Sequence, residues 1–338
     1  MVRNLAFSSW DFLRFLETEP TARRLLAAFY QKHGFESPDK LAFQQSTRLL
    51  YTVKHARQCY ETAATSDLLI KPLLLFYGCT HLLKAVILCK DPTYPQNSRM
   101  LQHGVTTRKV KRTPYHILDD EVRPQKEGLF AHAAKLLRIP NLQERYTMGE
   151  LFSVLPELTP TYTELMGPNH WDKVTYHEAD RLLSFPQGTR GSLLYSRETF
   201  LDYLTRHGGG NVAFSLHGDG IPIGSPVGTQ AHVQVMPKSN VGLEAHPLFA
   251  STPQGYYFWN VEGNDVPPPQ WAVHFLLLYL LGMLCRYEAE LWGDFVYSHS
   301  YGELVLVEHF FSEHLERFPL LISELIQKEP VKKPRPPS

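Results

Sequence analysis

The sequence has few cysteines and no cysteine pair with the spacing of a metal or redox site. Only four of its 338 residues are cysteine, and none form a Cys-x-x-Cys motif. Three of them, Cys79, Cys89 and Cys285, lie in strongly apolar runs, where a thiol behaves as a small hydrophobic side chain. This usage is typical of a reducing compartment, and residues 1–10 lack the apolar core of a secretory signal. We therefore expect a cytoplasmic protein.

The sequence also has no excess of positive or negative charge. The 34 basic and 34 acidic side chains cancel, which argues against a partner such as DNA that attracts a protein through its overall field. A local basic stretch does occur at residues 108–112, and it could contact a phosphate or an acidic partner, or be a solvated loop. Two apolar segments approach membrane hydrophobicity, but residues 68–89 are interrupted by Lys71 and Lys84, and residues 272–285 are short. We predict no membrane contact.

The standard cofactor and metal motifs are absent from the sequence as well. It contains neither Gly-x-x-x-x-Gly-Lys nor Gly-x-Gly-x-x-Gly, so neither common phosphate loop is present and we predict no cofactor. Sixteen histidines include no His-x-x-x-His pair. His309 and His314, which we expect on a surface face of a late helix, are five residues apart and would point in different directions. We therefore predict no metal site.

What is present is helical periodicity over most of the chain. Residues 8–66 are predicted to form three helices, with Pro20 and Pro38 in first turns. Further helices are expected at residues 67–90, 128–138, 147–156, 270–293 and 302–327. The segments 68–89 and 272–285 are apolar on all sides, which predicts two neighbouring core helices in one bundle.

The pattern changes at residue 191, where short apolar runs separated by glycine and proline replace the helical period. Strands are expected at residues 193–195, 212–216, 232–236 and 255–260. Residues 159–191 are expected to be an irregular connection, with or without one short helix. The predicted fold is mainly α, a helical bundle with a small antiparallel β insert at about residues 191–262. The predicted regions are an N-terminal helical region at 1–190, the insert at 191–262, C-terminal helices at 263–328 and a disordered tail at 329–338.

Arg286 is the most informative single residue in the sequence. It lies on one stripe of the predicted 270–293 helix together with Phe275, Tyr279 and Gly282, so its guanidinium would begin on a core-like face. A buried arginine needs a partner. The partner could be Glu290, four residues later, or a carboxylate on another helix, or an anionic ligand or protein group.

A second pattern suggests catalysis. Helical ribonucleases of the HEPN type have an arginine and a histidine with four to six residues between them, and Arg48 and His55 have six residues between them. Such a spacing also arises by chance in a chain rich in both residues. We predict no other catalytic residues.

Two blocks carry a resemblance to a known family. The stretch LYLLGMLCRYEAELWG at residues 278–293 and the stretch PLLLFYGCTHLLK at residues 72–84, followed by His103 and Gly104, are similar to the YaaC-like proteins of Bacillus and relatives. The helix pairs are also similar, at the level of fold, to HEPN bundles. The family has no established catalytic residues, but its gene lies beside that of IMP dehydrogenase in Bacillus, which implies a purine-metabolism context.

The leading hypothesis is therefore a non-enzymatic regulatory or interaction protein, which binds a protein partner or a nucleotide-like ligand. IMP dehydrogenase is the partner that the resemblance suggests. The oligomeric state is left open. The residues expected to bind are Arg286, Tyr287, Glu290, Trp292 and His103.

Overall fold

The computed structural model describes residues 10–109, 115–139, 142–186, 190–208, 212–217, 232–237, 242–263 and 265–327. Residues 110–112 of the basic stretch and the predicted tail at 329–338 lie outside these ranges. The chain divides into two compact units, one drawn from Met1–Leu151 and Pro269–Ser338, the other from Phe152–Pro268. The second unit is thus inserted into the first, and it begins before the predicted insert boundary at residue 191.

The described residues form mostly helices with two small sheets, which confirms the predicted fold class. The helices are α1 (Asp11–Phe15), α2 (Glu19–Lys32), α3 (Pro38–Thr65), α4 (Lys71–Lys90), α5 (Leu129–Leu136), α6 (Met148–Val154), α7 (Thr159–Met166), α8 (Arg197–His207), α9 (Gln270–Tyr287), α10 (Ala289–Tyr297) and α11 (Glu303–Gln327). The strands are β1 (Val105–Arg108), β2 (Glu121–Pro124), β3 (Tyr146–Thr147), β4 (Trp171–His177), β5 (Leu182–Ser184), β6 (Val212–His217), β7 (His232–Pro237), β8 (Phe249–Thr252) and β9 (Gly255–Trp259).

The centre of the first unit is the predicted pair of core helices, α4 and α9. Phe76 on α4 packs against Phe275 on α9, with ring centroids 5.5 Å apart. On another side of α4, Gly78 allows close approach of Tyr60 from α3, since a Cβ at Gly78 would lie 2.6 Å from the tyrosine ring. By length and composition α4 could span a membrane, but 72% of its most apolar window is buried within the fold. That burial is typical of the core helix of a globular protein.

A three-stranded antiparallel sheet in the first unit was not predicted. Its order is β1-β2-β3, and Glu121 on β2 lies opposite Arg108 on β1 and Thr147 on β3. Strands of two to four residues are too short to show the alternating pattern that identifies a strand in sequence. The sheet matters because it carries charged residues to the site described below.

The second unit is built on a six-stranded antiparallel sheet of order β6-β7-β5-β4-β9-β8. The predicted strands at 212–216, 232–236 and 255–260 are confirmed. The irregular connection predicted at 159–191 is wrong in part. It contains the short helix α7, for which the prediction left room, but also the strands β4 and β5. β4 was not predicted because only Trp171 and Val174 among its seven residues are buried, so its sequence lacks a strand's alternating apolar pattern.

One predicted strand of the insert, at residues 193–195, is a short 3₁₀ turn instead. The amide of Tyr195 donates to the carbonyl oxygen of Ser192 at 3.1 Å and closes the turn. Asn260 accepts hydrogen bonds from the Ser192 hydroxyl and the Leu193 amide, which holds the turn in place. The segment therefore bonds to a distant side chain rather than to a neighbouring strand.

The predicted single helix at 270–293 is also wrong, since the chain bends by 108° between α9 and α10. Glu288 is the residue between them, with φ −126° and ψ 46°. Its carboxylate forms an ion pair with Lys109 at 2.7 Å. After the bend, Trp292 reaches the core and its Nε1 donates to the carbonyl oxygen of Leu68 at 3.3 Å. Burial of this large ring and the ion pair favour the bend over a continuous helix.

Candidate functional site

The turn at His103 and Gly104, which the family resemblance pointed to, is held firmly by the backbone. Gly104 (φ +77°) and Gly128 (φ +110°) lie against each other, and a Cβ on Gly128 would be 2.5 Å from the Gly104 Cα. Two amides beyond Gly128 donate to this turn: Leu129 to the Gln102 oxygen at 2.7 Å and Phe130 to the His103 oxygen at 3.1 Å. Only glycine fits such a crossing. The backbone at His103 is therefore fixed.

The His103 imidazole lies between aromatic rings, and its Nδ1 has no hydrogen-bond partner within the described part of the chain. Its ring centroid is 4.9 Å from that of Phe76 and 5.8 Å from that of Tyr279. Nδ1 is buried and bonds to no atom of the described residues. Burial lowers the pKa of His103, and the charges of Arg286 and Lys84 lower it further. The ring is thus neutral near pH 7, with a buried Nδ1 whose hydrogen-bonding capacity no described residue satisfies.

Arg286 is half-buried, and no described carboxylate lies within ion-pair distance of it. Its Nε donates to the Gly282 carbonyl oxygen at 3.2 Å, and its Nη2 lies 3.1 Å from the Met283 sulfur. Its Cζ lies 5.1 Å from the centroid of the Tyr287 ring. Of the partners considered for Arg286, Glu290 forms no ion pair with it among the described residues, because the bend at residue 288 carries Glu290 onto α10, where it is exposed.

Lys84 on α4 completes this group, and sequence reasoning did not select it as a site residue. Its side chain is half-buried, forms no ion pair with a described residue, and has its pKa lowered by burial. It lies close enough to His81 and His103 to lower the pKa of both. A lysine inside a helix that is otherwise apolar was the available signal. We call the two cations Lys84 and Arg286, together with the neutral His103 ring beside them, the cationic site.

The cationic site adjoins a cleft of about 1120 Å³. His103 and Tyr279 line this cleft, together with residues 102–106, 123–127 and 144–145. Tyr279 precedes Arg286 by seven residues, two helical turns, so both lie on the same side of α9, about 10 Å apart along its axis. Arg286 therefore lies on the side of α9 that borders the cleft.

The other predicted binding residues have different surroundings. Tyr287 is 68% exposed and lies beside Arg286. Trp292 is 2% exposed and stacks on Phe295, so its ring has no surface left for a ligand. Glu290 is exposed on α10, beyond the bend at residue 288. The proposed site keeps Tyr287 and leaves out Trp292 and Glu290.

The alternative pair, Arg48 and His55, lies on an exposed side of α3. Arg48 donates to the carbonyl oxygen of Tyr94 at 3.0 Å, whereas the His55 ring lies 4.2 Å from that of His81. Seven residues of helix separate them by about 10 Å along the axis. Within one chain the two side chains therefore contact different residues and do not contact each other.

One prediction about the histidines is wrong. His314 was expected on a surface face, but it is fully buried in the first unit. The Tyr60 hydroxyl lies 2.6 Å from its Nε2, and Nδ1 of His274 lies 3.0 Å from its Nδ1. Among the described residues no group of three His, Cys, Asp or Glu side chains could hold a metal ion.

The first unit is thus a helical bundle in which a short sheet and a His-Gly turn border a cationic cleft. A model of the YaaC-like protein family matches residues 14–326, so the chain belongs to the YaaC-like family. The resemblance of the two sequence blocks is thereby confirmed. No curated protein and no solved structure matches the chain.

Proposed function

We propose that this YaaC-like protein is a regulatory protein that binds an anionic, nucleotide-like ligand at the cationic site. The observation that carries the proposal is that Arg286 has no carboxylate partner among the described residues, although Lys84 and His103 lie in the same region. Half-buried cations without counter-charges are unfavourable, because burial removes hydration that nothing replaces. A bound anion would supply the missing charge and the missing acceptors.

The aromatic neighbours favour a ligand that also has a flat ring. Tyr279 lines the cleft beside His103, and Tyr287 lies exposed beside Arg286. Tyrosine rings stack on planar ligands, and a guanidinium adds attraction to the face of a ring. A nucleotide combines an anionic group with such a ring.

Binding rather than catalysis is proposed because of how His103 is held. A catalytic imidazole is commonly oriented by a carboxylate and bonded to the group it activates. Within the described ranges, His103 bonds to neither a carboxylate nor a hydroxyl or thiol. Because His103 lines the cleft, its ring can contact a ligand there without activating it.

The test uses thermal unfolding of the full chain with a panel of purine and pyrimidine nucleotides. We expect at least one nucleotide to raise Tm, and Lys84→Met to weaken that binding by about tenfold or more. Lys84→Met should not lower Tm without ligand, because it removes a half-buried, unpaired charge. Lys54→Met on α3 is the matched control, since Lys54 is exposed and the change of charge is the same. A panel without any shift, or wild-type affinity in Lys84→Met, would contradict the proposal.

A protein partner is a further part of the proposal. The same cations would accept acidic side chains, and the family's gene neighbourhood makes IMP dehydrogenase the partner to try first. Mixing the two purified proteins and following their elution by size-exclusion chromatography tests this. Separate elution at micromolar concentrations would remove IMP dehydrogenase from the proposal without affecting nucleotide binding.

The HEPN-like ribonuclease remains the alternative, favoured by the exposure of both Arg48 and His55 on one side of α3. Incubation of the purified protein with total RNA separates the two functions. RNA cleavage that is lost in His55→Ala would establish the ribonuclease. We expect no RNA cleavage by the wild-type protein or by His55→Ala.

A further inference from the structure

Two arginines that line the cleft are held by one buried carboxylate. Glu121 on β2 keeps only 8% of its side chain exposed, and its two oxygens bind different guanidiniums. Nη2 of Arg123 donates to Oε2 at 2.7 Å, and Nη1 of Arg145 donates to Oε1 at 2.8 Å. Arg123 and Arg145 are 22 residues apart in sequence, so this arrangement is a product of the fold.

Glu121 is outnumbered by its basic neighbours. Arg108 lies opposite Glu121 in the strand register, so three arginines surround a single carboxylate. The hydrogen bond from Arg123 lowers the pKa of Glu121, and the charges of Arg145, Arg123 and Arg108 lower it further. Glu121 therefore stays ionised and leaves an excess of two positive charges, one from the pair of arginines that lines the cleft and one from Arg108, which lies outside the lining. Such an excess attracts an anion with more than one negative charge.

The free edges of the two guanidiniums are available to a ligand in the cleft. Each guanidinium uses one of its three nitrogens to bind Glu121. Nε of Arg123 is buried and is not one of the available donors, but the Arg123 side chain is 40% exposed and the Arg145 side chain is 65% exposed. Guanidiniums bind phosphate through two parallel N–H donors, and a carboxylate behind them limits their movement.

Two other carboxylates line the cleft, and they do not cancel this excess. Glu127 forms an ion pair with Arg99 at 3.5 Å. The charge of Glu144 is matched by that of Lys126, which lines the same cleft. The excess at Glu121 therefore remains.

The size of the cleft argues for a ligand larger than an inorganic ion. Pockets for organic ligands of drug or nucleotide size are about 300–1,000 Å³, and this open cleft has about 1120 Å³. His103 and Tyr279 line it as well, so it reaches from the arginines to the cationic site.

We propose that the cleft takes a phosphorylated small molecule of the nucleoside monophosphate class, with its phosphate between Arg123 and Arg145 and its ring towards Tyr279 and His103. This inference rests on the proposed function and adds the position of the phosphate. It makes Arg145 the specificity residue for the phosphate group. The cationic site then contacts the rest of the ligand.

The experiment is a set of calorimetric titrations of the full chain. The probes are purine and pyrimidine ribonucleoside 5′-monophosphates, the matching nucleosides, and inorganic phosphate. The variants are Arg145→Ala, Arg145→Lys and the control Arg24→Ala, which removes an exposed arginine on α2. Thermal unfolding of each variant without ligand checks that the exposed Arg145 is not needed for folding.

We expect one monophosphate to bind at least about tenfold more tightly than its nucleoside, and Arg145→Ala to remove this preference. Arg145→Lys should recover part of the affinity, because a lysine keeps the charge but not the paired donors. Arg24→Ala should bind as wild type. Equal binding of nucleoside and monophosphate, or unchanged preference in Arg145→Ala, would overturn the phosphate position.

The outcomes separate this inference from the proposed function. If a nucleotide binds and Lys84→Met weakens it while Arg145→Ala does not, the phosphate position is wrong and the proposed function stands. If inorganic phosphate binds as tightly as any monophosphate, the cleft is a site for the free ion and the inference fails. If no probe binds, both fail.

Discussion

Arg57 and Arg286 are both partly covered arginines of the first unit, but their surroundings differ. Nε and Nη2 of Arg57 bind the Glu17 carboxylate at 2.6 and 2.8 Å, and its Nη1 binds Glu61 at 2.6 Å. Arg286 instead contacts a carbonyl oxygen, a thioether and a tyrosine ring. The paired guanidinium ties α3 to the segment before α2. The unpaired one lies in the site where we propose that a ligand binds.

The difference teaches how to distinguish structural from ligand-binding charges in this fold. A charge whose partners are within the fold stabilises the fold and has little left for a ligand. A charge that the fold leaves without a counter-charge contributes little to stability, and it can contribute to affinity. The predictions that follow test this distinction, starting with the largest expected effect.

The largest effect should come from moving His103 without changing either arginine. Gly128→Ala places a Cβ 2.5 Å from the Gly104 Cα, at φ +110°, so the turn must shift. We expect a loss of about 3 kcal/mol in the free energy of unfolding, and loss of ligand binding. Urea unfolding and calorimetry measure the two effects.

The control for this change is Gly34→Ala. Gly34 has φ +73°, but nothing lies within 4 Å of its added Cβ. It should cost only about 1 kcal/mol and leave binding unchanged. Equal effects of the two substitutions would mean that the His103 turn is not specially constrained.

The buried pair His274 and His314 should make stability depend on pH. Burial lowers the pKa of His274 to about 3, and burial also lowers the pKa of His314. In the unfolded chain both titrate near 6.5, so below that pH the unfolded state binds protons that the folded state does not. Stability is therefore complete above pH 6.5 and is lost as the pH falls. We expect each histidine to cost about 1–2 kcal/mol between pH 7 and pH 5.

Urea unfolding at pH 7, 6 and 5 measures this loss. His274→Phe is the informative variant, because Phe310 and Phe318 already surround the ring. It should reduce the dependence on pH even if it changes stability at pH 7. The same dependence in wild type and variant would show that His274 is not responsible.

The smallest expected effect is a change in the pKa of His103. The positive charge of Arg286 contributes to lowering that pKa, so Arg286→Met should raise it towards the ordinary value of histidine. NMR titration of the His103 ring protons measures the change, and Arg57→Met serves as the control with no change. If the pKa of His103 is the same in Arg286→Met as in the wild-type protein, the charge of Arg286 does not act on the His103 ring.

Much of the fold could be predicted from the sequence because its core helices have clear signals. The apolar runs at 68–89 and 272–285 became α4 and α9, which pack together, and the prolines at positions 20 and 38 lie in the first turns of α2 and α3. The bend after Tyr287 could not be predicted, because the helical period continues through it. It depends on contacts with Lys109 and Leu68, which are more than 170 residues away in sequence.

The candidate site was only partly predictable for a similar reason. His103 came from the family resemblance and Arg286 from its place in an apolar stripe, and the structure brings both to one region. Arg123 and Arg145 have no local signal, since their common partner Glu121 is buried only when three short strands pair. Contacts between charged residues that are distant in sequence cannot be predicted from periodicity or motif spacing.

The most direct test of the account exchanges the two arginines for methionine in turn. One tight-binding mononucleotide is titrated against Arg286→Met and Arg57→Met, and the free energy of unfolding is measured for both. We predict that Arg286→Met loses about tenfold or more in affinity and keeps its stability, whereas Arg57→Met keeps its affinity and loses about 2 kcal/mol of stability. Wild-type affinity in Arg286→Met, or a loss of stability as large as that of Arg57→Met, would contradict the account.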